Sequence, residues 1–244
     1  MTFEAQFFSA ATFAGAVASI SGFGIGSILT PLLATQTTTK LAISLVSIPH
    51  LVATTIRFWM LRKHIDRKLL LSFGSMSAAG GLLGALLHHR FEPGAITLIF
   101  GGILVSAGLA GASGLSERMK FHGAGAWIAG GVSGLLGGLV GNQGGIRSAA
   151  MLNFSLQRQS FVATATAVGV IVDGARMPVY FWTSYKEILE HSALLACGTL
   201  GVVIGTFLGQ RLLRFIDEKF FRKLVSLLVF FLGTFMLARY WQLV

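Results

Sequence analysis

Apolar residues run in long stretches along the whole chain, at about 5–33, 41–61, 69–88, 94–113, 124–155, 160–182, 188–210 and 223–243, with short polar clusters between them. A run of roughly 20 apolar residues suffices for a helix to cross a hydrocarbon core, and its recurrence from end to end predicts an all-α polytopic membrane protein. The first and fifth stretches are longer than one crossing and are interrupted by glycine-rich sequence. Each therefore predicts a broken or re-entrant helical hairpin, followed in each half by three transmembrane helices. A polar link divides the chain into a first transmembrane repeat at 1–115, a connecting loop at 116–123 and a second transmembrane repeat at 124–244.

The two halves are related. A shift of 119 residues brings Gly15 onto Gly134, Gly22 onto Gly141, Gly26 onto Gly145, Leu33 onto Leu152 and Arg57 onto Arg176. With a two-residue insertion, Gly80 then meets Gly201, Gly84 meets Gly205 and Arg90 meets Arg211. Glycine matches arise readily in a glycine-rich chain, but matched arginines inside apolar stretches do not. The positive-inside rule then bears on topology. If both interrupted stretches cross fully, the loop cations divide eight against eight and favour neither orientation. If both fold back as hairpins, Arg62, Lys63, Arg67, Lys68, Arg118, Lys120, Arg158, Arg211, Arg214, Lys219, Arg222 and Lys223 share one side, against Lys40, Arg90, Lys186 and Arg239. The second arrangement is the expected one, with both termini outside the cytoplasm. Three crossings per half is an odd number, so the expected fold is two inverted repeats, an architecture of secondary transporters.

Composition excludes other classes. Hydrophobic residues make up 54% of the 244 and charged residues 11%, with mean hydropathy +0.75, where a soluble domain carries about 25% charged residues. The net charge of +10 comes from Lys and Arg in short loops, which points to orientation in the cytoplasmic (inner) membrane rather than to nucleic acid. Phe7 to Ile20 is preceded by Glu4 and by no Lys or Arg, so it is expected to be kept and not cleaved as a signal. The single cysteine, Cys197, builds neither a disulfide nor a multi-cysteine metal site, and His64, His88, His89, His122 and His191, read as loop histidines, have no metal-ligand spacing. No HExxH, GxSxG or acidic cluster is present, so no enzyme, cofactor or metal is expected.

The interruptions carry the candidate chemistry. They read Ser21-Gly22-Phe23-Gly24-Ile25-Gly26-Ser27 and Gly141-Asn142-Gln143-Gly144-Gly145-Ile146-Arg147-Ser148. Non-helical backbone at membrane depth is tolerated only where protein or a water-filled cavity satisfies its polar groups. A helix restarting after such a break offers unpaired N–H groups and the positive end of its dipole, which favours an anion. The expected substrate contacts are the backbone of Gly24, Ile25, Gly26 and Ser27 and of Gln143, Gly144, Gly145 and Ile146, with the side chains of Asn142, Gln143 and Arg147. Arg57 and Arg176 are second choices. Tight helix crossing is the other account of the glycines, but an Arg147 inside an apolar stretch calls for a cavity or a partner.

The remaining embedded charges leave alternatives open. Asp173 and Arg176, three apart, share a helix face and can pair as a structural ion pair, or Asp173 can orient Arg176 or carry a coupling proton. Arg57 can snorkel towards Arg62 or clamp the anion. His50 beside Pro49 is either a packed histidine or the alternative titrating group.

At these residues the chain resembles the sulfite exporter TauE/SafE family, also called the toluene sulfonate uptake permeases. The resemblance spans nearly the whole length. It is carried by Gly22-Phe23-Gly24-Ile25-Gly26 with Leu29 to Leu33 behind, by Gly141 to Gly145, by the basic loop after the second stretch, and by Asp173-Gly174-Ala175-Arg176-Met177-Pro178-Val179-Tyr180. It implies a permease for sulfite, thiosulfate, sulfoacetate or related sulfonates. Asn142-Gln143 and Ile146-Arg147 depart from the commonest family pattern, and the extra arginine suits an oxyanion with several acceptor oxygens. A passive anion channel shares all of these features, and a membrane scaffold or assembly protein shares the glycine-rich helices.

Overall fold

Local signals set the helix boundaries. The Thr38 side chain accepts from the Leu41 N–H at 3.2 Å and starts the helix at Thr39–Leu61. Asp66 accepts from the Leu69 N–H at 2.9 Å and starts the one at Arg67–Arg90, both as N-caps that satisfy an otherwise orphaned donor. Pro93 opens the helix at Pro93–Ala112, where its missing N–H costs nothing. The computed structural model describes residues 2–21, 24–115, 124–141, 144, 147, 151, 154, 156, 158–212 and 218–243. Its helices are α1 (Phe3–Ser21), α2 (Ile25–Leu33), α3 (Thr39–Leu61), α4 (Arg67–Arg90), α5 (Pro93–Ala112), α6 (Ala124–Val140), α7 (Arg158–Thr183), α8 (Tyr185–Glu190), α9 (Ser192–Leu212) and α10 (Glu218–Leu243), with a short 3-10 turn at Arg62–His64. Among the described residues there is no strand.

Among the described residues, five helical spans are long and apolar enough to cross a membrane: Thr39–His64, Arg67–Arg90, Pro93–Ala112, Gln159–Thr183 and Ser192–Arg211. In α10 the apolar part is shorter, Ser226–Ala238. Large apolar side chains point outward, with Leu71, Trp182 and Trp241 at 76%, 89% and 72% exposure, as befits a surface solvated by lipid. The stretch expected at 188–210 begins differently. Lys186, Glu187, Glu190 and His191 break it into the short α8 and a separate α9, because polar side chains this close together cannot all enter the apolar layer.

Glycine governs how the helices meet. α4 packs on α6 and α1 on α9 with backbones in contact. A β-carbon on Gly138 would lie 1.9 Å from the Gly81 carbonyl oxygen, and one on Gly205 would lie 1.9 Å from that of Thr12, so no larger residue fits either crossing. Both pairs run parallel. Gly198 faces Phe7, Gly205 faces Thr12 and Gly209 faces Ala16, while Gly134 faces Ser77 and Gly138 faces Gly81. α5 and α10 run antiparallel, with Gly94 against Tyr240, Gly101 against Leu237 and Gly108 against Phe230. α3 and α7 also run antiparallel, with Ser47 against Met177 and His50 against Asp173.

Candidate functional site

Both interruptions are real breaks in helix. α1 ends at Ser21, and α2 begins after Gly24, whose φ of +130° only glycine adopts without strain. Ile25, Gly26 and Ser27 form the first turn of α2. They are buried, and Gly24 at the N-cap has no side chain to cap this N-terminus. α6 ends at Val140 and is followed by Gly141, whose φ is +72° and whose N–H bonds to the Gly137 carbonyl at 3.0 Å, the left-handed glycine stop common at helix C-termini. The two breaks touch, since a β-carbon on Gly26 would lie 2.8 Å from the Gly141 carbonyl oxygen. Gly144 and Arg147 are buried beyond the second break. Gly22, Phe23, Asn142, Gln143, Gly145, Ile146 and the 116–123 link lie outside the described residues.

Around the breaks sits a buried polar cluster. Arg57, Arg147 and Arg176 are 4%, 4% and 1% exposed, and Asp173 is fully buried. Asp173 Oδ1 lies 2.7 Å from Arg176 Nη2, and Oδ2 lies 2.7 Å from His50 Nδ1, so the i,i+3 pair foreseen in sequence extends across to α3. Arg147 packs over α7, its Nη1 3.0 Å from where a Gly169 β-carbon would stand, and the Thr54 methyl is 3.2 Å from the same point. Arg57 does not snorkel. Its Nη1 donates to the Ala18 carbonyl and its Nη2 to Thr54 Oγ1 at 3.4 Å. Arg176 does the equivalent in the other half, where its Nη1 donates to the Gly137 carbonyl at 2.6 Å. Ala18 and Gly137 are themselves 119 residues apart, the same spacing as Arg57 and Arg176. Each arginine thus donates to a carbonyl in the last turn of the helix that precedes a break, at the negative end of the helix dipole, and at Gly137 it shares that oxygen with the Gly141 N–H. The Nε–H of Arg57 and that of Arg176 are buried and make no hydrogen bond among the described residues.

Two participants escaped the sequence reading. His88 is no loop residue but a 2% exposed side chain in the last turn of α4, its Nδ1 2.7 Å from the Leu139 carbonyl oxygen. Tyr180 donates its hydroxyl hydrogen to the Gly138 carbonyl and lies under the Arg176 guanidinium, 5.7 Å from ring centroid to Cζ. Three consecutive carbonyls at the end of α6, those of residues 137, 138 and 139, are therefore taken by Arg176, Tyr180 and His88. The signal available in sequence was only that Tyr180 follows Arg176 by four residues, one turn along the same face.

In this cluster buried guanidinium groups outnumber the carboxylate, the N-terminus of α2 lies nearby, and no three His, Cys, Asp or Glu side chains among the described residues converge to hold a metal ion. The family model described as Sulfite exporter TauE/SafE matches residues 7–236 of the chain. No curated protein and no solved structure matches it significantly.

Proposed function

Since the chain belongs to the sulfite exporter TauE/SafE family, a family of multi-pass membrane transporters, we propose that it is a secondary transporter. Its substrate in this reading is a sulfur oxyanion or organosulfonate, such as sulfite, thiosulfate or sulfoacetate, moved across the cytoplasmic membrane by alternating access. The observation that carries the reading is the pair of arginines, Arg57 and Arg176. Each is locked to the helix before a glycine break and each keeps a buried Nε–H open.

The packing supports two inverted repeats. By the 119-residue shift α3 corresponds to α7, and, with the small insertion, α5 corresponds to α10; both pairs run antiparallel. The contact of α1 with α9 has its counterpart in that of α4 with α6. A fold-back at the first break is supported as well. Ala18 lies by Arg57, Ala16 by Gly209 and Met60 by Gln210, so α1, α3 and α9 end together and the chain between α1 and α3 must return through α2. With nine residues, α2 is roughly 14 Å long, about half of a hydrocarbon core. The same geometry gathers the Arg62–Lys68 loop and Arg211 at one end, which the positive-inside rule assigns to the cytoplasm.

In this reading the anion is held by the backbone at 24–27 and 143–146, by Asn142, Gln143 and Arg147, and by the open edges of Arg57 and Arg176. Asp173 with His50 is the candidate carrier of a coupling proton, because a carboxylate shared by an imidazole and a guanidinium can change partners as charge enters beside it. The test is uptake of labelled sulfite, thiosulfate, sulfoacetate and a carboxylate control into proteoliposomes, with and without a pH gradient, for the native chain and Arg147→Ala. Saturable uptake that follows the gradient and is lost in the variant is expected. Gradient-independent flux would make the protein a channel or uniporter, and no flux of any of these anions would overturn the reading.

A further inference from the structure

The two halves do not contribute equally to the buried cluster. At the 119-residue shift, Thr54 stands where the second half has Asp173, and Ile28 stands where it has Arg147. The bonds keep the correspondence, for Arg57 reaches Thr54 as Arg176 reaches Asp173. The second half has thus acquired one cation and one anion relative to the first, and these cancel. Three guanidinium groups against one carboxylate leave the described cluster at a net +2, the same charge that the two equivalent arginines alone would give.

The backbone reduces this sum without cancelling it. The C-terminal ends of α1 and α6 each bring roughly half a negative charge to Arg57 and Arg176, while the N-terminus of α2 brings roughly half a positive charge to the same space, so the cluster keeps an excess of positive charge. Guanidinium stays protonated in proteins, and a buried excess of positive charge in a poorly polarisable medium demands a counter-charge. Of the other eight acidic residues of the chain, Glu4, Asp66, Glu92, Glu187, Glu190 and Glu218 lie at helix ends or caps, while Glu117 and Asp217 lie outside the described residues and, in sequence, fall in the polar links between apolar stretches.

We propose, building on the transporter reading, that the site is matched in charge to a doubly charged oxyanion and discriminates against singly charged ones of similar shape. Asp173 and Arg147 are then specificity determinants of opposite sign. Asp173 keeps the site from binding dianions too tightly, and Arg147 restores the charge that Asp173 removes.

The sign of each substitution tests this. Affinities of the purified protein for thiosulfate and sulfate, both dianions, are compared with those for methanesulfonate and nitrate, both monoanions, by calorimetry at mildly alkaline pH. The native chain is expected to prefer the dianions by at least about tenfold, given how steeply buried Coulomb attraction grows with ligand charge. Arg147→Gln lowers that preference, Asp173→Asn raises it, and Arg147→Lys weakens binding of both classes while keeping their ratio. Thermal unfolding of each variant confirms that it is folded, and Arg147→Met, equally uncharged, stands in for Arg147→Gln if the latter is not. Equal affinity for the two classes in the native chain, or a shift in the same direction for Arg147→Gln and Asp173→Asn, overturns the charge match while leaving a transporter. Absence of both binding and flux for every anion overturns the transporter reading itself.

Discussion

Replacing Arg176 by Met strands the Asp173 carboxylate. Met fills much of the volume, but it removes the 2.7 Å ion pair, the 2.6 Å bond to the Gly137 carbonyl and the contact with the Tyr180 ring. Asp173 is fully buried and, among the described residues, keeps direct contact with His50 alone. Breaking a buried pair from one side costs about 3–5 kcal/mol, most of it the penalty of an uncompensated charge. For a chain of this size that corresponds to a fall of roughly 6–20 °C in the unfolding midpoint. The assay is thermal unfolding of the purified protein in mild detergent, carried out as a double-mutant cycle with Asp173→Asn. The amide has nearly the shape of the carboxylate and no charge, so the double variant is expected to recover most of the loss. A fall of less than about 1 kcal/mol for Arg176→Met, or simple addition of the two effects, would refute the picture of a buried charge held by its partner.

Other outcomes follow from the same geometry. Gly138→Val drives a β-carbon into the Gly81 carbonyl and should destabilise the protein by about 1–3 kcal/mol or more, whereas Gly174→Ala, with nothing within 4 Å of its new β-carbon, should leave the unfolding midpoint unchanged or higher. His88→Leu orphans the Leu139 carbonyl and should cost about 1–3 kcal/mol, seen as faster hydrogen exchange at the end of α6. Arg147→Lys keeps the charge but loses the planar fork, so the dissociation constant for thiosulfate should rise; an unchanged value would rule out a bidentate contact. In a Cys197→Ser background, an impermeant maleimide applied to whole cells should label Lys186→Cys and spare Lys63→Cys if the basic end faces the cytoplasm.

What could be read in the sequence depended on whether a residue's role is local. Gly24 and Gly141 were legible as breaks because their backbone conformations, φ +130° and +72°, exclude almost every other residue. The embedded arginines were legible because guanidinium in an apolar stretch always needs a reason. His88 was not, since it precedes His89 and Arg90 and so reads as the start of a loop. Its burial depends on where the end of α6 comes to rest, 51 residues later. Arg57 admitted two sequence readings, and the choice between them rests on the position of the Ala18 carbonyl, 39 residues earlier. The crossing glycines were legible as small residues, but their partners were not. Gly80 and Gly84 meet residues 131 and 135, while Gly201 and Gly205 meet residues 8 and 12, a register one helical turn away from the one the internal repeat would give.

The partnership of α1 with α9 also has a consequence for how the chain is made. The glycine face of α9 that receives Phe7, Thr12 and Ala16 is synthesised almost two hundred residues after α1, and no helix of the first half substitutes for it. A ribosome that has delivered the first half has therefore placed α1 in the bilayer without the neighbour it fits. Until α9 arrives, α1 waits in lipid or in the keeping of the insertion machinery, exposed to quality-control proteases. Truncation before Ser192 should accordingly yield a chain that inserts but is rapidly degraded, and supplying α9 in trans should lengthen its life.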